Sequence, residues 1–275
     1  MYPIRVSTSS EGKARALITG CSSGIGRATA IELTARGYEV IATARSLDAI
    51  RDLEVAERRA LDVTEGAQVL AFGAEVGPID VLVNNAGVGV HGPLEGIPMD
   101  VIESVFQTNV LGALRVTKAL LPSLRRRGKA SIVNISSPAG RATRPLTGVY
   151  GASKAAAELA FESLSFELED TGARVIMIEP GAVSSLFPAS RRTYSVDEEP
   201  YRTIAAQWVR LRDSSHQRAV STPEEVAAVI ADALETETRP FSRHTVGAEA
   251  AALLAQRAAC DDDAYRESVW ARLRQ

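Results

Sequence analysis

Arg15-Ala-Leu-Ile-Thr-Gly-Cys-Ser-Ser-Gly-Ile-Gly26 is the stretch that decides the fold. Its apolar first half reads as a short buried strand, Arg15 to Thr19. Its glycine-rich second half opens directly into a helical pattern running from Gly26 to Arg36. Glycines at 20, 24 and 26 let the backbone turn sharply and approach a ligand, while free N–H groups and the positive end of the helix dipole favour an anion. A pyrophosphate suits such a turn. The spacing is Gly-x-x-x-Gly-x-Gly, a variant on the Gly-x-Gly-x-x-Gly of the usual dinucleotide fingerprint.

Outward from this turn, short apolar runs alternate with helical patterns. Strands are expected at 38–43, 58–62, 81–84, 131–135 and 174–179, and helices at 47–53, 65–76, 99–126 and 150–171. That alternation predicts βαβ units and a parallel sheet. The expected fold class is α/β: a Rossmann-type doubly wound parallel sheet in one domain, with a C-terminal helical extension. Ligands of such sheets bind beyond the carboxyl ends of the strands.

Composition narrows the function classes. The chain has 275 residues, 45% hydrophobic and 24% charged, which suits one large domain with a sizeable core. A formal net charge of −3 with interspersed signs gives no footprint for nucleic acid or an anionic membrane, so small metabolites are the expected partners. No signal peptide is read at the start and no apolar run is long enough to span a bilayer. Two cysteines, Cys21 and Cys260, exclude a disulfide framework and fit a cytoplasmic setting. His91, His216 and His244 lack metal-ligand spacing, so no metal site is expected.

Tyr150 and Lys154, in Val149-Tyr-Gly-Ala-Ser-Lys154, share one face of a helix. A lysine cation near a phenol favours the phenolate, so the pair can exchange a proton near neutral pH. Ser137 lies 13 residues before Tyr150 and Asn109 lies 41 before it. Together with Thr19 to Gly26, Asn84-Asn85-Ala86-Gly87, Leu61-Asp62-Val63 and Pro180-Gly181-Ala182-Val183, these residues resemble, in order and spacing, the classical short-chain dehydrogenase/reductase family over about residues 14–185. The glycine turn, the stretch from Asn85 to Leu94 and the long C-terminal extension are similar to the branch of 17β-hydroxysteroid and retinol dehydrogenases.

The resemblance implies an oxidoreductase that interconverts an alcohol and its ketone or aldehyde on an apolar substrate. Tyr150 is then the general acid/base, Ser137 the hydroxyl that holds and polarises the substrate oxygen, Lys154 the phenol tuner and nicotinamide-ribose ligand, and Asn109 the anchor of a proton-relay water. The chemistry is consistent: hydride arrival puts negative charge on oxygen, which donors must already face. Cys21 is not needed as a nucleophile. Ser136, beside Ser137, is expected to point the opposite way, because strand side chains alternate.

The implied cofactor contacts are Gly20, Ser22, Ser23, Gly24, Ile25 and Gly26 at the phosphates. Asp62 and Val63 serve the adenine, and Asn85, Ala86 and Gly87 the adenosine ribose. Pro180, Gly181, Val183 and Ser185 lie at the nicotinamide, beside Tyr150 and Lys154. The run Ala42-Thr43-Ala44-Arg45-Ser46 has no carboxylate at the edge of the second strand, and Arg45 suits a 2′-phosphate, so NADP(H) is favoured with NAD(H) still open.

Residues 14–185 are read as the cofactor-binding and catalytic core. Residues 184–222, irregular and rich in proline and arginine, are read as a substrate lid with a helix at 201–211, and 223–275 as C-terminal helices with a last strand at 239–246. Thr222 is the expected cap of a helix at 223–234. Arg125-Arg126-Arg127-Gly128 is read as a helix end, and Asp261-Asp262-Asp263 as a helix start. Candidate pocket walls are His91, Leu94, Pro138, Leu146, Val149, Val183 and Phe187. The helix at 155–168 is apolar around much of its circumference, which predicts a homodimer or homotetramer. A different class stays open: a protein of the same fold that senses the dinucleotide without turnover.

Overall fold

The computed structural model describes residues 12–184, 191–216 and 220–274. Seven parallel strands form one sheet: β1 (Arg15–Ile18), β2 (Glu39–Ala44), β3 (Glu57–Ala60), β4 (Val81–Asn84), β6 (Ser131–Ile135), β7 (Arg174–Pro180) and β9 (Phe241–Val246). Their spatial order is β3-β2-β1-β4-β6-β7-β9. The chain builds one side from β1 to β3 and then crosses back to β4, so the order reverses between β1 and β4. In a doubly wound sheet the ligand crevice opens at that reversal.

Period-two alternation sends successive side chains to opposite faces. Ala16 and Ile18, Val81 and Val83, Val133 and Ile135, and Ile176 and Ile178 pack on one face, against Leu33 of α1 (Gly24–Ala35) and Val226, Ile230 and Leu234 of α7 (Pro223–Thr236). Leu17, Leu82, Ile132, Val175 and Met177 pack on the other. There they meet Phe72 of α2 (Gly66–Glu75), Leu120 and Leu124 of α4 (Ala113–Arg127), and Phe161 of α5 (Gly148–Glu167). The central strands are buried on both faces because each face carries a helical layer, as a parallel sheet requires. β3 is the exposed edge, its sequence Glu-Arg-Arg-Ala being charged as edges usually are.

Every expected strand is present, with ends shifted by a few residues, and so are the expected helices except the one at 47–53, which shortens to a 3₁₀ turn, Leu47–Ile50. The stretch read as one helix over 99–126 is interrupted. α3 (Met99–Phe106) passes through a π-helical turn, Gln107–Gly112, before α4 begins. Such turns are rare and recur at functional sites, and this one carries Asn109.

Three local readings hold in detail. Gly128 closes α4 in the left-handed conformation after Arg125, Arg126 and Arg127. Thr222 caps α7 in a reciprocal capping box with Glu225. Asp261 accepts from the Ala264 N–H at the start of α9 (Asp262–Leu273).

A second, two-stranded sheet has no counterpart in the sequence reading. β5 (Val90–His91) pairs in parallel with β8 (Arg192–Thr193), fastening the segment that precedes α6 (Tyr201–His216) to the loop after β4. The Trp208 ring of α6 stacks on His91, with centroids 5.8 Å apart. At the C-terminal end, Leu253 and Leu254 of α8 (Ala248–Ala258) and Tyr265 of α9 cover Ala142, and the Tyr265 hydroxyl donates to the Thr143 carbonyl at 2.9 Å. The C-terminal helices therefore support the loop that leads into α5.

Candidate active site

The glycine turn is held by its neighbour across the reversal point. Thr19 Oγ1 accepts from the N–H groups of Asn85 and Ala86, both at 3.0 Å, and Asn85 Nδ2 donates to the carbonyls of Thr19 at 2.8 Å and Gly20 at 3.0 Å. This close approach explains Gly26. A Cβ there would lie 2.3 Å from Asn85 Nδ2 and 2.4 Å from the Gly20 oxygen. Gly20, at φ +74, needs the left-handed region for a different reason, the reversal of the chain itself. The Asn85 side chain is committed to the turn.

Ser23 precedes α1 in an extended conformation and its side chain makes no capping bond. No acidic residue sits in the first turn of α1 either. The first N–H groups of the helix thus face outward beside Ser22, Gly24 and Ile25, which is the arrangement that receives a phosphate. Cys21 points inward instead: it is fully buried, its thiol donates to the Ile18 carbonyl, and burial pushes it up to about 12. It is no nucleophile.

Arg45 follows β2 and is exposed, with no ion pair among the described residues. Asp62 spends one carboxylate oxygen on the Thr64 N–H and hydroxyl, at 2.9 and 2.7 Å. Val63 is buried against Gly112 of the π turn. Pro180, Gly181 and Val183 leave the end of β7, where Val183 bridges to Ser221. Ser185 and Phe187 lie outside the described residues.

The remaining four candidates converge at the carboxyl ends of β4 and β6. Lys154 is buried on α5, and its Nζ donates to the Ile135 carbonyl at 2.7 Å. Tyr150, one turn earlier, has its phenol close enough to Ser137 for that hydroxyl to favour the phenolate, and Lys154 Nζ lies 5.9 Å from the Tyr150 ring centroid. Ser137 also accepts from the Ala139 N–H at 3.3 Å, at the start of a 3₁₀ turn. Ser136 turns away, as alternation predicts, and its hydroxyl donates to Glu158.

Asn109 is buried and fully engaged. Its Oδ1 accepts from the Val88 N–H at 2.8 Å, and its Nδ2 donates to the Val88 carbonyl and to Ser153 Oγ, both at 3.0 Å. Ser153 in turn donates to the Tyr150 carbonyl at 2.7 Å. The sequence reading missed Ser153, since a serine inside a helix carries no signal of its partners.

Electrostatics correct one expectation. Lys154 was expected to pull the Tyr150 phenol toward neutrality. Burial instead pushes the phenol up to about 12, opposed by the Ser137 hydrogen bond and by the Arg191 guanidinium. Burial likewise draws Lys154 down to about 8, opposed by Glu158. Desolvation dominates both groups because the protein alone leaves them in a poorly solvated corner.

The pocket-wall candidates separate. Val149 packs in a small core with Val90, Ile97, Val101 and Val105, and His91 is buried beneath Trp208. Both serve packing. Pro138 is buried at the start of the 3₁₀ turn after Ser137. Leu94 is exposed. Leu146 adopts φ +66, an unusual conformation for a branched side chain, and its carbonyl accepts from the Gly92 N–H at 2.9 Å. A cavity of about 170 Å³ lies elsewhere, between Arg144, Glu249, Leu253 and Arg272.

A family model described as short chain dehydrogenase matches residues 14–194. The chain belongs to the short-chain dehydrogenase family. Retinol dehydrogenase 8 from Bos taurus is 34% identical over 250 residues, covering 83% of this chain and 80% of that protein. Human 17-beta-hydroxysteroid dehydrogenase type 1 is 36% identical over 239 residues, covering 79% and 73%. The resemblance to that branch therefore holds. Among solved structures, a short-chain dehydrogenase from Streptomyces avermitilis superposes with a TM-score of 0.80 at 36% identity, covering 95% of this chain and 96% of that one.

Two further structures of this fold carry dinucleotides. They are an alcohol dehydrogenase from Thermococcus sibiricus with 5-hydroxy-NADP (27% identity, TM-score 0.70, covering 85% and 96%) and a Burkholderia phymatum member with NAD (26%, 0.75, covering 90% and 94%). As a member of this family, the protein is an NAD(P)-dependent oxidoreductase acting on CH–OH groups. No described helix is long and apolar enough to cross a membrane.

The depressed Lys154 makes a stability prediction. Its folded value lies below the unfolded one, so a buried cation opposes folding below about pH 8, and the penalty fades as pH rises toward the ordinary lysine value of 10.5. Relative to the wild type, Lys154→Met is expected to gain roughly 2 kcal/mol of stability between pH 10 and pH 7, because only the wild type acquires a buried cation as the pH falls. Thermal melts at pH 7 and pH 10 check it, and a relative stability that rises with pH contradicts it.

Proposed function

We propose that this protein is an NADP(H)-preferring oxidoreductase that interconverts an alcohol and its ketone or aldehyde on an apolar substrate, with Tyr150 as general acid/base. The observation that carries the reading is the convergence of Ser137, Tyr150 and the buried Lys154 at the carboxyl edge of the sheet, with Lys154 Nζ on the Ile135 carbonyl and 5.9 Å from the Tyr150 ring centroid. Two hydroxyls brought to one corner can both donate to a single carbonyl oxygen, which is what stabilises developing alkoxide charge.

The nicotinamide ring supplies the hydride when bound. In reduction, Ser137 orients and polarises the substrate oxygen while Tyr150 passes its proton to that oxygen. In oxidation the same phenol, as phenolate, takes the proton back. Lys154 holds a positive charge beneath the phenol and offers N–H groups to the ribose hydroxyls. Asn109, pinned by Val88 and Ser153, fixes the π turn and the loop after β4, and its proposed relay water would lie beside it.

The residues fit a dinucleotide. The uncapped start of α1, with Gly20 to Gly26 close-packed against Asn85, leaves N–H groups facing a phosphate pair. Arg45, exposed and without an ion pair among the described residues, supports a preference for the 2′-phosphate. Asp62 keeps one carboxylate oxygen for the adenine amino group.

The apolar substrate class is supported by the retinol and 17-beta-hydroxysteroid relatives, and Leu94 and Leu146 are its proposed contacts, with Phe187 completing them outside the described residues. The division at residues 184–222 is proposed as the lid, fastened by the β5–β8 pair and by Trp208. On α5, Phe161 and Leu164 are buried while Leu159 and Phe166 are exposed, which supports a second copy of the chain on that face. Two free cysteines accord with the proposed cytoplasmic location.

Tyr150→Phe is expected to lower kcat at least a thousandfold while NADPH affinity, read by fluorescence titration, stays within about threefold. Unchanged turnover refutes the role of Tyr150, and a wild type that binds NADPH tightly yet turns over no ketone or aldehyde points to a sensor. Arg45→Asp is expected to move the ratio of NADPH to NADH dissociation constants at least tenfold toward NADH, and an unmoved ratio refutes the role of Arg45.

A further inference from the structure

Beneath the Tyr150 and Lys154 corner lies a buried charge network that the proposed chemistry does not use. Glu158, one turn beyond Lys154 on α5, is 3% exposed. Its Oε1 accepts from the Ser136 hydroxyl and its Oε2 from Arg243 Nη1 at 2.5 Å. Arg243, on β9, also donates to Glu179 of β7 at 3.0 Å and to Glu162 of α5 at 2.8 Å. Glu179, wholly buried, further accepts from Thr245 Oγ1 at 3.0 Å and from Arg141. The last strand of the sheet is thereby tied to the helix that bears Tyr150.

Glu158 also bounds the serine segment on both sides. Ser136 stands just before Ser137, and Gly140 ends the turn that Ser137 opens. A Cβ on Gly140 would lie 2.8 Å from Glu158 Oε1. One carboxylate oxygen thus bonds to the start of the segment that presents Ser137 and leaves room only for glycine at its end.

We propose that Glu158 is a positioning residue for this reaction. It locks the Ser136–Gly140 segment onto the helix that presents Tyr150 and Lys154, and it supplies the carboxylate that keeps Lys154 a cation. The inference rests on the roles given above to Ser137, Tyr150 and Lys154.

The charges facing these groups make the case. Lys154 Nζ is bound by the Ile135 carbonyl of β6, lies 5.9 Å from the Tyr150 ring centroid and comes close to Gly87, and the nearest carboxylate on its own helix is Glu158, one turn on, whose charge favours the ammonium. Glu158 is met by Arg243 from β9, by Ser136 from β6, by Glu162 from α5, and by Glu179 from β7 through the shared guanidinium. Among these described residues three carboxylates, Glu158, Glu162 and Glu179, face three cations, Lys154, Arg243 and Arg141. Lys154 completes a locally neutral set. Buried charges persist where they are paired, so removing the Glu158 charge leaves an excess cation, and Lys154 is the one that can release its proton.

Glu158→Gln keeps the shape and removes the charge. Lysine labelled with ¹³C at Cε reports the Lys154 titration by NMR in the protein without cofactor, with Lys154→Met assigning the signal. The Lys154 midpoint is expected to fall by about one pH unit in Glu158→Gln, since an opposite charge at this range shifts a pKa by that order. Ser136→Ala, a milder change certain to test the same contact if Glu158→Gln does not fold, is expected to shift it in the same direction by less. In turnover, the corresponding limb of the kcat/KM profile against pH should move with the NMR midpoint. An unmoved Lys154 midpoint in the folded variants overturns the proposal, as does a fall in kcat without movement of the limb. Because the NMR titration needs neither substrate nor cofactor, it can fail while Tyr150→Phe still abolishes turnover, or hold while that test fails.

Discussion

The hydrogen bond from Lys154 Nζ to the Ile135 carbonyl is the constraint on which the site depends. It fastens α5 to the carboxyl end of β6, and Ser137 leaves that same strand two residues later. Tyr150, one turn back on the helix, therefore meets Ser137 whatever the outer loops do. An ammonium with so little water needs compensation nearby: the strand carbonyl bonds it directly, and one turn along α5 stands Glu158, which shares Arg243 of β9 with Glu179 of β7. The sheet is thus more than a platform. Its last strand, added after α6 and α7, completes the charge network beside the lysine.

A second constraint governs the other half of the site. Thr19 and Asn85 bind the turn after β1 to the chain after β4, so the two strands flanking the order reversal are stitched together at their ends. Gly26 follows from that stitch, because no side chain fits between α1 and the Asn85 carboxamide. The glycine turn and the Tyr150–Lys154 corner are held by separate sets of bonds, and they meet at Gly87, beside both Asn109 and Lys154. The division suits a reaction in which one end of a cofactor is gripped while the other meets a substrate.

Most of the fold was legible because its signals are local. Buried strands such as Val81–Asn84, the glycine turn and the Thr222 cap are each written within a few neighbouring residues. The candidate site was legible where order and spacing carried it, at Ser137, Tyr150, Lys154 and Asn109. What stayed hidden depends on distance along the chain. Arg243 meets Glu158 across 85 positions, and His91 meets Trp208 of α6 from the loop after β4, pairings that no window of sequence contains. The π turn at Gln107–Gly112 looks apolar and helical in sequence and differs only in its bonding. The Tyr150 phenol was misjudged for a physical reason: proximity of a cation is visible in Tyr-x-x-x-Lys, whereas the desolvation that outweighs it is a property of the folded corner.

The central claim is that this corner directs hydride chemistry onto a carbonyl carbon. The most direct measurement is isotope transfer: NADPH carrying deuterium at the reactive C4 position, incubated with the protein and a bulky apolar ketone or aldehyde, with the product examined by mass spectrometry and proton NMR. The account predicts one deuterium per turnover on the carbinol carbon of the product, at a rate that collapses in Tyr150→Phe. Deuterium retained on the cofactor under saturating NADPH, across ketones and aldehydes from small aliphatic to steroid and retinoid, would contradict it.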